Sequence, residues 1–469
     1  MEGNRKQRRL FRWTHLPALD TNGEHGRARL VSQAIFLKRL PLPGVRRPDA
    51  QRRERLKAIY IRDMWQKSVN SGHILGVAAL AAPLAGVFAP TLVTPVALFA
   101  MLGLLGLRAF NRDAPVRSDR PLIIIVGLIL GWSALSLIWT FNTADAVLKC
   151  VLVIGFGLLA LATLILGPPL VEHERHVLRR FIVAGVAIGL TLLLFEMATA
   201  GAISRLVLGK VPINGATLTM FSMTPTLLLM FIWSPVAILW RSMPAIALGL
   251  IGLGFVAAYL LPSASASIAY IVGVVFFFTA LLAPRGATLF VALVIAFAIL
   301  VAPFVPRIAP ALDPATIREN SNSHNASFLH RLDIWAFTID KIKERPLLGW
   351  GFNASRTVPD GDAHYYLRDR SGAVVGQGNR LPLHPHNGAL QIWLELGLPG
   401  AAGFAALFAL AATRIKRQTE ASGTAAALGA LGTAAPIWLL SFGIWQTWWM
   451  SVLVLTTLLM VSTIAPERS

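Results

Sequence analysis

The stretch PLIIIVGLILGWSALSLIW, residues 121–139, decides the fold class of this chain. It runs for 19 residues without a charged side chain. A helix rising about 1.5 Å per residue would make this stretch roughly 28 Å long, close to the ~30 Å hydrocarbon thickness of a bilayer. A segment of this length and composition predicts a membrane-spanning helix.

Similar apolar segments recur along the 469 residues. Only 14% of the residues are charged, against about 25% in a soluble domain, and 55% are hydrophobic. The sequence therefore predicts an all-α polytopic membrane protein with about 12 transmembrane helices and one large loop between spans nine and ten. The predicted spans are 73–89, 91–107, 121–139, 146–167, 179–198, 216–234, 244–261, 267–283, 287–306, 387–411, 423–443 and 445–464.

The formal net charge of +20 is concentrated at the start of the chain, where residues 1–72 hold 17 Lys and Arg against six Asp and Glu. This tail has no apolar core typical of a signal peptide. Within it, apolar residues of 51–70 recur at helical spacing beside arginines, which predicts an amphipathic helix on an anionic membrane surface. A nucleic-acid partner is not expected, because no recognisable nucleic-acid-binding fold accompanies the charge.

Basic residues between the predicted spans give the orientation. If the tail is cytoplasmic, the basic clusters between the spans also fall on the cytoplasmic side, as the positive-inside rule requires. The exceptions are the cations of two outward loops, the large loop and the short loop before span six. The clusters on the cytoplasmic side are Arg108, Arg112, Arg117 and Arg120; Arg175, Arg179 and Arg180; Arg241; Arg285; and Arg414, Lys416 and Arg417. Both termini are therefore predicted to be cytoplasmic.

Five segments follow from this topology. The chain divides into a basic tail (1–72), spans one to nine (73–306), an outward loop (307–385), spans ten to twelve (386–464) and a cytoplasmic C-terminus (465–469). In the loop, apolar residues at three- and four-residue spacing predict an amphipathic helix that ends before a proline. The two outward segments with cations are this loop and the short loop before span six, so we expect those cations to have a function.

The segment HPHNGALQIWLELGLPG, residues 384–400, enters span ten from the outward side. His386 and Asn387 lie at its mouth, where a histidine can accept a proton from a hydroxyl near neutral pH. A histidine there could equally do no more than hydrogen-bond a loop carbonyl. Glu395 lies within the span, about 13 Å along a helix from His386, so we expect a hydrogen bond to a neighbouring helix rather than a proton relay.

The spacing of these residues resembles a known family. His386-Asn387, nine residues, then Gly397-Leu398-Pro399-Gly400 is similar to the His-[Asn/Ser/Gln]-x9-Gly-x-x-Gly pattern of the bacterial O-antigen ligase and polymerase superfamily. The stretches RLDIW (331–335) and PLLGWG (346–351) also resemble the large-loop signature of that family. The resemblance covers roughly residues 73–464, with its sharp motifs at about 331–400.

The resemblance implies a metal-independent, inverting glycosyltransferase at the periplasmic face of the bacterial inner membrane, without a cofactor. The donor would be a glycan on polyprenyl pyrophosphate, and the acceptor a sugar hydroxyl, on lipid A-core for a ligase or on another glycan for a polymerase. Membrane lipids are the other expected partners. Guanidinium groups suit pyrophosphate because they bind phosphate oxygens through paired hydrogen bonds. The implied catalytic residues are His386, Arg331 and Arg205, and the implied substrate-binding residues are Lys210, Asn214, Arg356, His384 and Asn387.

Several alternatives stay open at this stage. Ala401-Ala402 follow Gly400 where ligases often carry a polar or aromatic pair, which weakens the ligase interpretation against the polymerase one. The triplet Asp360-Gly361-Asp362 imitates a metal-binding motif but is first of all a turn. A secondary transporter with 12 spans is the main competitor from another class, although the polar residues here cluster at the outward surface rather than at mid-membrane.

Overall fold

The computed structural model describes residues 70–110, 119–141, 143–210, 221, 223–261, 263–323, 325–418 and 421–464. The amphipathic helix predicted for 51–70 lies outside these residues apart from Asn70, and so do Asn214 and the predicted C-terminal segment 465–469.

Helices make up most of the described chain. Those before the outward loop are α1 (Ser71–Phe88), α2 (Val93–Phe110), α3 (Arg120–Leu135), α4 (Thr143–Leu166), α5 (Glu172–Ala198), α6 (Ala202–Leu206), α7 (Thr224–Phe231), α8 (Trp233–Leu239), α9 (Pro244–Leu260), α10 (Ala264–Leu282) and α11 (Pro284–Val301). After them come α12 (Val305–Ile308), α13 (Pro314–Asn320), α14 (Ala326–Glu344), strands β1 (His364–Arg368) and β2 (Val374–Asn379), α15 (Gly388–Gln418), α16 (Ala421–Leu440) and α17 (Thr447–Ile464).

The apolar helices confirm the predicted all-α polytopic membrane fold. Among the described residues, ten helical stretches are long and apolar enough to cross a membrane, and each coincides with one predicted span. The other two predicted spans, 216–234 and 244–261, correspond to shorter apolar stretches at Thr224–Leu239 and Pro244–Leu260. The number of 12 crossings stays a prediction.

Close helix packing depends on small residues, as is usual where lipid removes the hydrophobic driving force between helices. A Cβ atom on Gly185 of α5 would lie 2.3 Å from the carbonyl oxygen of Ala79 in α1. A Cβ atom on Gly273 of α10 would lie 2.1 Å from the Thr433 hydroxyl of α16. Both helix pairs can therefore approach only because a glycine stands at the contact.

Helix α15 is held on two sides by tryptophan side chains. Trp393 of α15 donates its indole N–H to the carbonyl oxygen of Ile299 in α11 (2.8 Å). Trp132 of α3 donates to the carbonyl oxygen of Leu396 in α15 (2.8 Å). These bonds fix the helix whose N-terminal end follows the histidine motif.

The segment 307–385, predicted to face outward, contains the predicted amphipathic helix, seen as α14. Asn325 caps its start by accepting a hydrogen bond from the Phe328 N–H (3.1 Å), and Pro346 follows its end. Its buried apolar residues include Leu332, Ile339 and Ile342. The same segment also forms an antiparallel hairpin of β1 and β2, which the hydropathy pattern did not predict.

Candidate functional site

The site is built on a break in helix α15. Gly397 adopts a left-handed φ of 63°, and Pro399 has no N–H to offer the carbonyl oxygen of Glu395 four residues earlier. The Leu398 N–H points out of the helix and donates to the carbonyl oxygen of Pro346 (3.1 Å). Carbonyl groups of α15 near the break thus lose their usual helical partners.

The loop 346–352 supplies the missing partners. Trp350 donates its backbone N–H to the carbonyl oxygen of Leu394 (2.7 Å), and Gly351 donates to that of Glu395 (2.9 Å). Gly349 and Gly351 have φ angles of 70° and 99°, which a side chain would strain. The two glycine-containing motifs of the sequence, 346–351 and 394–400, therefore pair with each other directly.

The end of span three clasps the same loop from the other side. The Phe352 N–H donates to the Ser136 hydroxyl (3.0 Å), and the Thr140 hydroxyl donates to the Phe352 carbonyl oxygen (3.0 Å). The Phe141 ring packs against the Trp350 ring at 5.8 Å between centroids. The loop is thereby held between α3 and α15.

His386 sits just before α15 in an unusual backbone conformation, with φ of 52°. Its Nδ1 lies 2.9 Å from the carbonyl oxygen of Ser441. Since a carbonyl oxygen can only accept, Nδ1 carries the proton, and in the neutral ring Nε2 keeps its lone pair. The hydrogen bond to a loop carbonyl is therefore present, and it leaves the other nitrogen available as a base.

His384 and Asn387 support this arrangement. The His386 backbone N–H donates to His384 Nδ1 (3.1 Å), and the two imidazole centroids are 4.3 Å apart. The Asn387 side chain accepts from the Leu390 N–H (3.0 Å) and so caps the start of α15. The structure thus gives Asn387 a capping contact at the position where the sequence predicted substrate binding.

Arg331 is brought to the histidines by α14. Trp335, one turn further along the same face, donates its indole N–H to the carbonyl oxygen of Pro385 (2.9 Å). The Arg331 side chain is half-buried, and burial lowers the pKa of its guanidinium. Among the described residues, neither the Arg331 side chain nor the exposed Arg356 side chain makes a hydrogen bond or an ion pair. An unpaired, partly desolvated guanidinium is well suited to bind an anion that comes from outside the chain.

The positive charges act on both histidines. Burial, then the charges of His386, Arg356 and Arg331, lower the pKa of His384 to about 3. Burial also lowers the pKa of His386, with smaller contributions from Arg331 and His330, while the bond to Ser441 opposes the shift. Both imidazoles are therefore neutral near pH 7, which is the state in which a histidine can accept a proton.

Arg205 and Lys210 form a second group at the end of α5. Glu196, fully buried, accepts from the N–H groups of Ile203 (2.8 Å) and Ser204 (2.9 Å) and so holds α6. The exposed Arg205 of α6 reaches the Thr199 carbonyl oxygen at 3.5 Å. Burial lowers the pKa of Lys210, and the charge of Glu196 opposes this shift. The contacts among described residues do not join this group to the histidines.

Glu395 is fully buried, and its carboxylate accepts four hydrogen bonds. One comes from Trp445, in the connection between α16 and α17, at 2.6 Å. The expected structural hydrogen bonding of Glu395 is present, but its donors lie in the loop at 353–355, in α15 itself and in the connection before α17 rather than in a neighbouring membrane helix. The predicted turn at Asp360 is also present, with φ of 64° and a 3.8 Å approach to Lys341.

Comparison with known proteins agrees with the motifs. Residues 247–405 match the model of a family described as O-antigen ligase. Over 162 residues the chain is 36% identical to a protein of Rickettsia prowazekii (strain Madrid E), and over 348 residues it is 28% identical to one of Rickettsia bellii (strain RML369-C). Both relatives carry the name "Putative polysaccharide ligase".

The extent of these matches differs. The first covers 34% of this chain and 39% of the R. prowazekii protein, so the chain spans about two fifths of that relative's length. The second covers 72% of this chain and 80% of the R. bellii protein. The matched family segment contains Arg331, Arg356 and the histidine motif, whereas Arg205 and Lys210 precede it. The resemblance to the O-antigen ligase superfamily is confirmed.

The break in α15 generates a stability prediction. A Cβ atom on Gly397 would lie 2.3 Å from the Leu347 carbonyl oxygen, in addition to the strain of a left-handed φ. We expect Gly397→Ala to lower the free energy of unfolding by at least about 1–3 kcal/mol. Thermal unfolding of the detergent-purified protein measures the effect. Gly249→Ala in α9, where nothing lies within 4 Å, is the matched control and should not lower the melting temperature, since alanine favours a helix interior over glycine.

The capping contact of Asn387 generates a second prediction. Replacing an N-cap side chain by alanine costs about 1 kcal/mol, whereas serine preserves the accepting oxygen. We expect Asn387→Ala to lower the melting temperature and Asn387→Ser to restore most of the loss. Equal melting temperatures for the two variants would contradict the capping role.

Proposed function

We propose that the protein transfers a polyprenyl-pyrophosphate-linked polysaccharide to a sugar hydroxyl, because residues 247–405 match a family described as O-antigen ligase. The preferred reaction is ligation of O-antigen to lipid A-core. The site would face the periplasm from the inner membrane, with both termini in the cytoplasm. The distribution of basic residues between the predicted spans supports this orientation.

The observation that carries the proposal is the pairing of a neutral base with unpaired cations. His386 Nδ1 is occupied by the Ser441 carbonyl oxygen, so Nε2 can take the proton of an acceptor hydroxyl. Arg331 lies on the helix turn next to Trp335, whose indole N–H is bonded to Pro385 within the histidine motif. A base and an anion-binding group side by side are what transfer from a pyrophosphate donor requires.

The proposed reaction is a single displacement. The acceptor oxygen, losing its proton to His386 Nε2, forms a bond to the anomeric carbon and inverts its configuration. The bond from that carbon to the pyrophosphate oxygen breaks, and its electron pair leaves with the polyprenyl pyrophosphate. Arg331 and Arg205 would hold the negative charge that develops there, with Lys210 and Arg356 as further phosphate contacts. His384 and Asn387 would border the acceptor.

The reaction as proposed needs no metal ion or cofactor. The pyrophosphate is already an activated leaving group, and guanidinium groups can hold its charge. Within the described part of the chain, no group of three His, Cys, Asp or Glu residues is placed to bind a metal. Exposed Asp360 and Asp362 lie in a turn, and Asp360 faces Lys341.

A deletion strain tests the function. Lipopolysaccharide lacking O-chain, together with accumulated long polyprenol-linked polymer, is the expected result for a ligase. Core carrying a single repeat without long polymer would instead establish a polymerase, the interpretation that Ala401 and Ala402 favour. Unchanged lipopolysaccharide and lipid-linked pools would contradict both and bring forward first a capsule or exopolysaccharide polymerase and then the transporter.

Substitution of the site residues gives the third prediction. Since each group acts on the charge or proton of the transition state, we expect His386→Ala and Arg331→Ala each to lower transfer by at least about 100-fold at an unchanged protein level. Transfer is measured with purified protein and lipid-linked donor. His364→Ala on β1 and Lys343→Ala on α14, both exposed, are the controls and should transfer normally. Near-normal transfer by both site variants would remove this site.

The lowered pKa of His386 gives a fourth prediction. The base must be neutral to accept a proton, so transfer is lost as the pH falls through the pKa of His386. Because burial and nearby cations lower that pKa, we expect the acid limb of kcat/KM to lie below pH 6.5, the ordinary histidine value. A pH profile of kcat/KM checks this, and an acid limb at or above 6.5 would contradict it.

A further inference from the structure

The carboxylate of Glu395 joins two parts of the site that are far apart in the chain. Its Oε1 accepts from the Ser355 hydroxyl (2.5 Å) and from the Gln391 side-chain amide (3.0 Å). Its Oε2 accepts from the Asn353 backbone N–H (3.0 Å) and from the Trp445 indole N–H (2.6 Å). Both oxygens are therefore saturated by donors from three separate segments.

Two of these donors, Asn353 and Ser355, lie next to Arg356 in the chain. Asn353 has a left-handed φ of 60°, and the helical turn that follows it spans Ala354–Arg356. Glu395 grips this turn at Asn353 and Ser355, on either side of its first residue. The direction in which Arg356 leaves the loop therefore depends on the carboxylate.

The other two donors, Gln391 and Trp445, connect Glu395 to the segment that contacts His386. Gln391, while donating to Glu395, accepts from the Ile444 N–H (3.0 Å), and Trp445 donates to Glu395 directly. The connection 441–446 is thus tied to α15 at two consecutive residues. The carbonyl oxygen at its start, that of Ser441, is the one that orients the His386 ring.

We propose that Glu395 is a positioning residue that fixes His386 and Arg356 relative to each other. The inference rests on the proposed function and extends it. Glu395 does not exchange a proton with the base, because both of its oxygens are occupied by the four donors and it lies about 10 Å along α15 from Gly388, which follows His386 by two residues. Its role is to hold the loop that presents the cation and the connection that orients the imidazole in one geometry.

We call the bonds from Asn353 and Ser355 the Arg356 arm, and those from Gln391 and Trp445 the His386 arm. Variants that remove a donor from one arm at a time provide the test. Ser355→Ala removes a donor only from the Arg356 arm, so the Michaelis constant for the lipid-linked donor should rise severalfold while kcat stays near the wild-type value. In the wild-type protein the ring centroids of Trp445 and Phe352 are 4.6 Å apart. Trp445→Phe keeps an aromatic ring at this contact but removes the indole N–H from the His386 arm. It should lower kcat and leave the donor KM unchanged.

Glu395→Gln should combine both effects. An amide offers one accepting oxygen in place of two, so donors from both arms lose their partner. Because misplacement of reacting groups by about 1 Å can cost on the order of 100-fold, we expect kcat/KM to fall by 10- to 100-fold. Glu319→Gln, an exposed carboxylate on α13, is the matched control and should behave as wild type.

Hydrogen–deuterium exchange on the same full-length proteins gives a readout that is independent of transfer. In Glu395→Gln, exchange should increase at 350–357 and 441–446 and stay unchanged in α14. Unchanged exchange in both segments, or wild-type kinetics for Glu395→Gln, would overturn the inference. The same changes of kcat and of the donor KM in Ser355→Ala and in Trp445→Phe would also overturn it, since they would indicate general destabilisation. A wild-type chain without transfer would overturn the proposed function itself and is recognised separately from these outcomes.

Discussion

A broken helix inside a membrane must find new partners for the backbone groups that it releases, because the hydrocarbon offers none. Helix α15 meets this constraint at Gly397-Leu398-Pro399, where its carbonyl oxygens are taken over by N–H groups from outside the helix. The loop 346–352 supplies two of these N–H groups, so folding of α15 requires the loop to pack against it. The other features of the site depend on this docking, since the loop continues into the turn that bears Arg356.

Much of the fold could be predicted from hydropathy alone. Stretches such as 121–139 carry their own evidence, because the bilayer selects length and apolarity locally. Helix α14 was predictable for a similar reason, from apolar residues at helical spacing and a terminal proline. Helix α5 begins at Glu172, seven residues before the predicted span at 179, because its first turns are polar and stabilised by the Glu172–Arg179 ion pair (3.1 Å). Hydropathy marks the membrane-buried part of a helix and not its polar extension.

The contacts between distant segments could not be predicted in this way. Nothing in the spacing of 346–351 and 394–400 shows that one supplies hydrogen bonds to the other, although a proline within an apolar span does signal a freed carbonyl group. The capping role of Asn387 could be predicted from its place just before a helix. The hairpin of β1 and β2 could not, because Leu367 is its one buried strand residue and the strands therefore lack an alternating apolar pattern. The site residues that the resemblance implies could be named from the sequence and stay predictions, whereas Glu395, for which we propose the positioning role, stood out in the sequence only as a costly carboxylate within a span.

The chain order of the Glu395 donors has a consequence for biosynthesis. Asn353 and Ser355 are synthesised before Glu395, and Gln391 immediately before it, but Trp445 emerges from the ribosome 50 residues later. Until then the carboxylate is one indole N–H short of its final set. A nascent chain that stops between Glu395 and Trp445 thus leaves this carboxylate without one of its four hydrogen bonds within a span, which gives quality control a local defect to recognise in such a truncated copy.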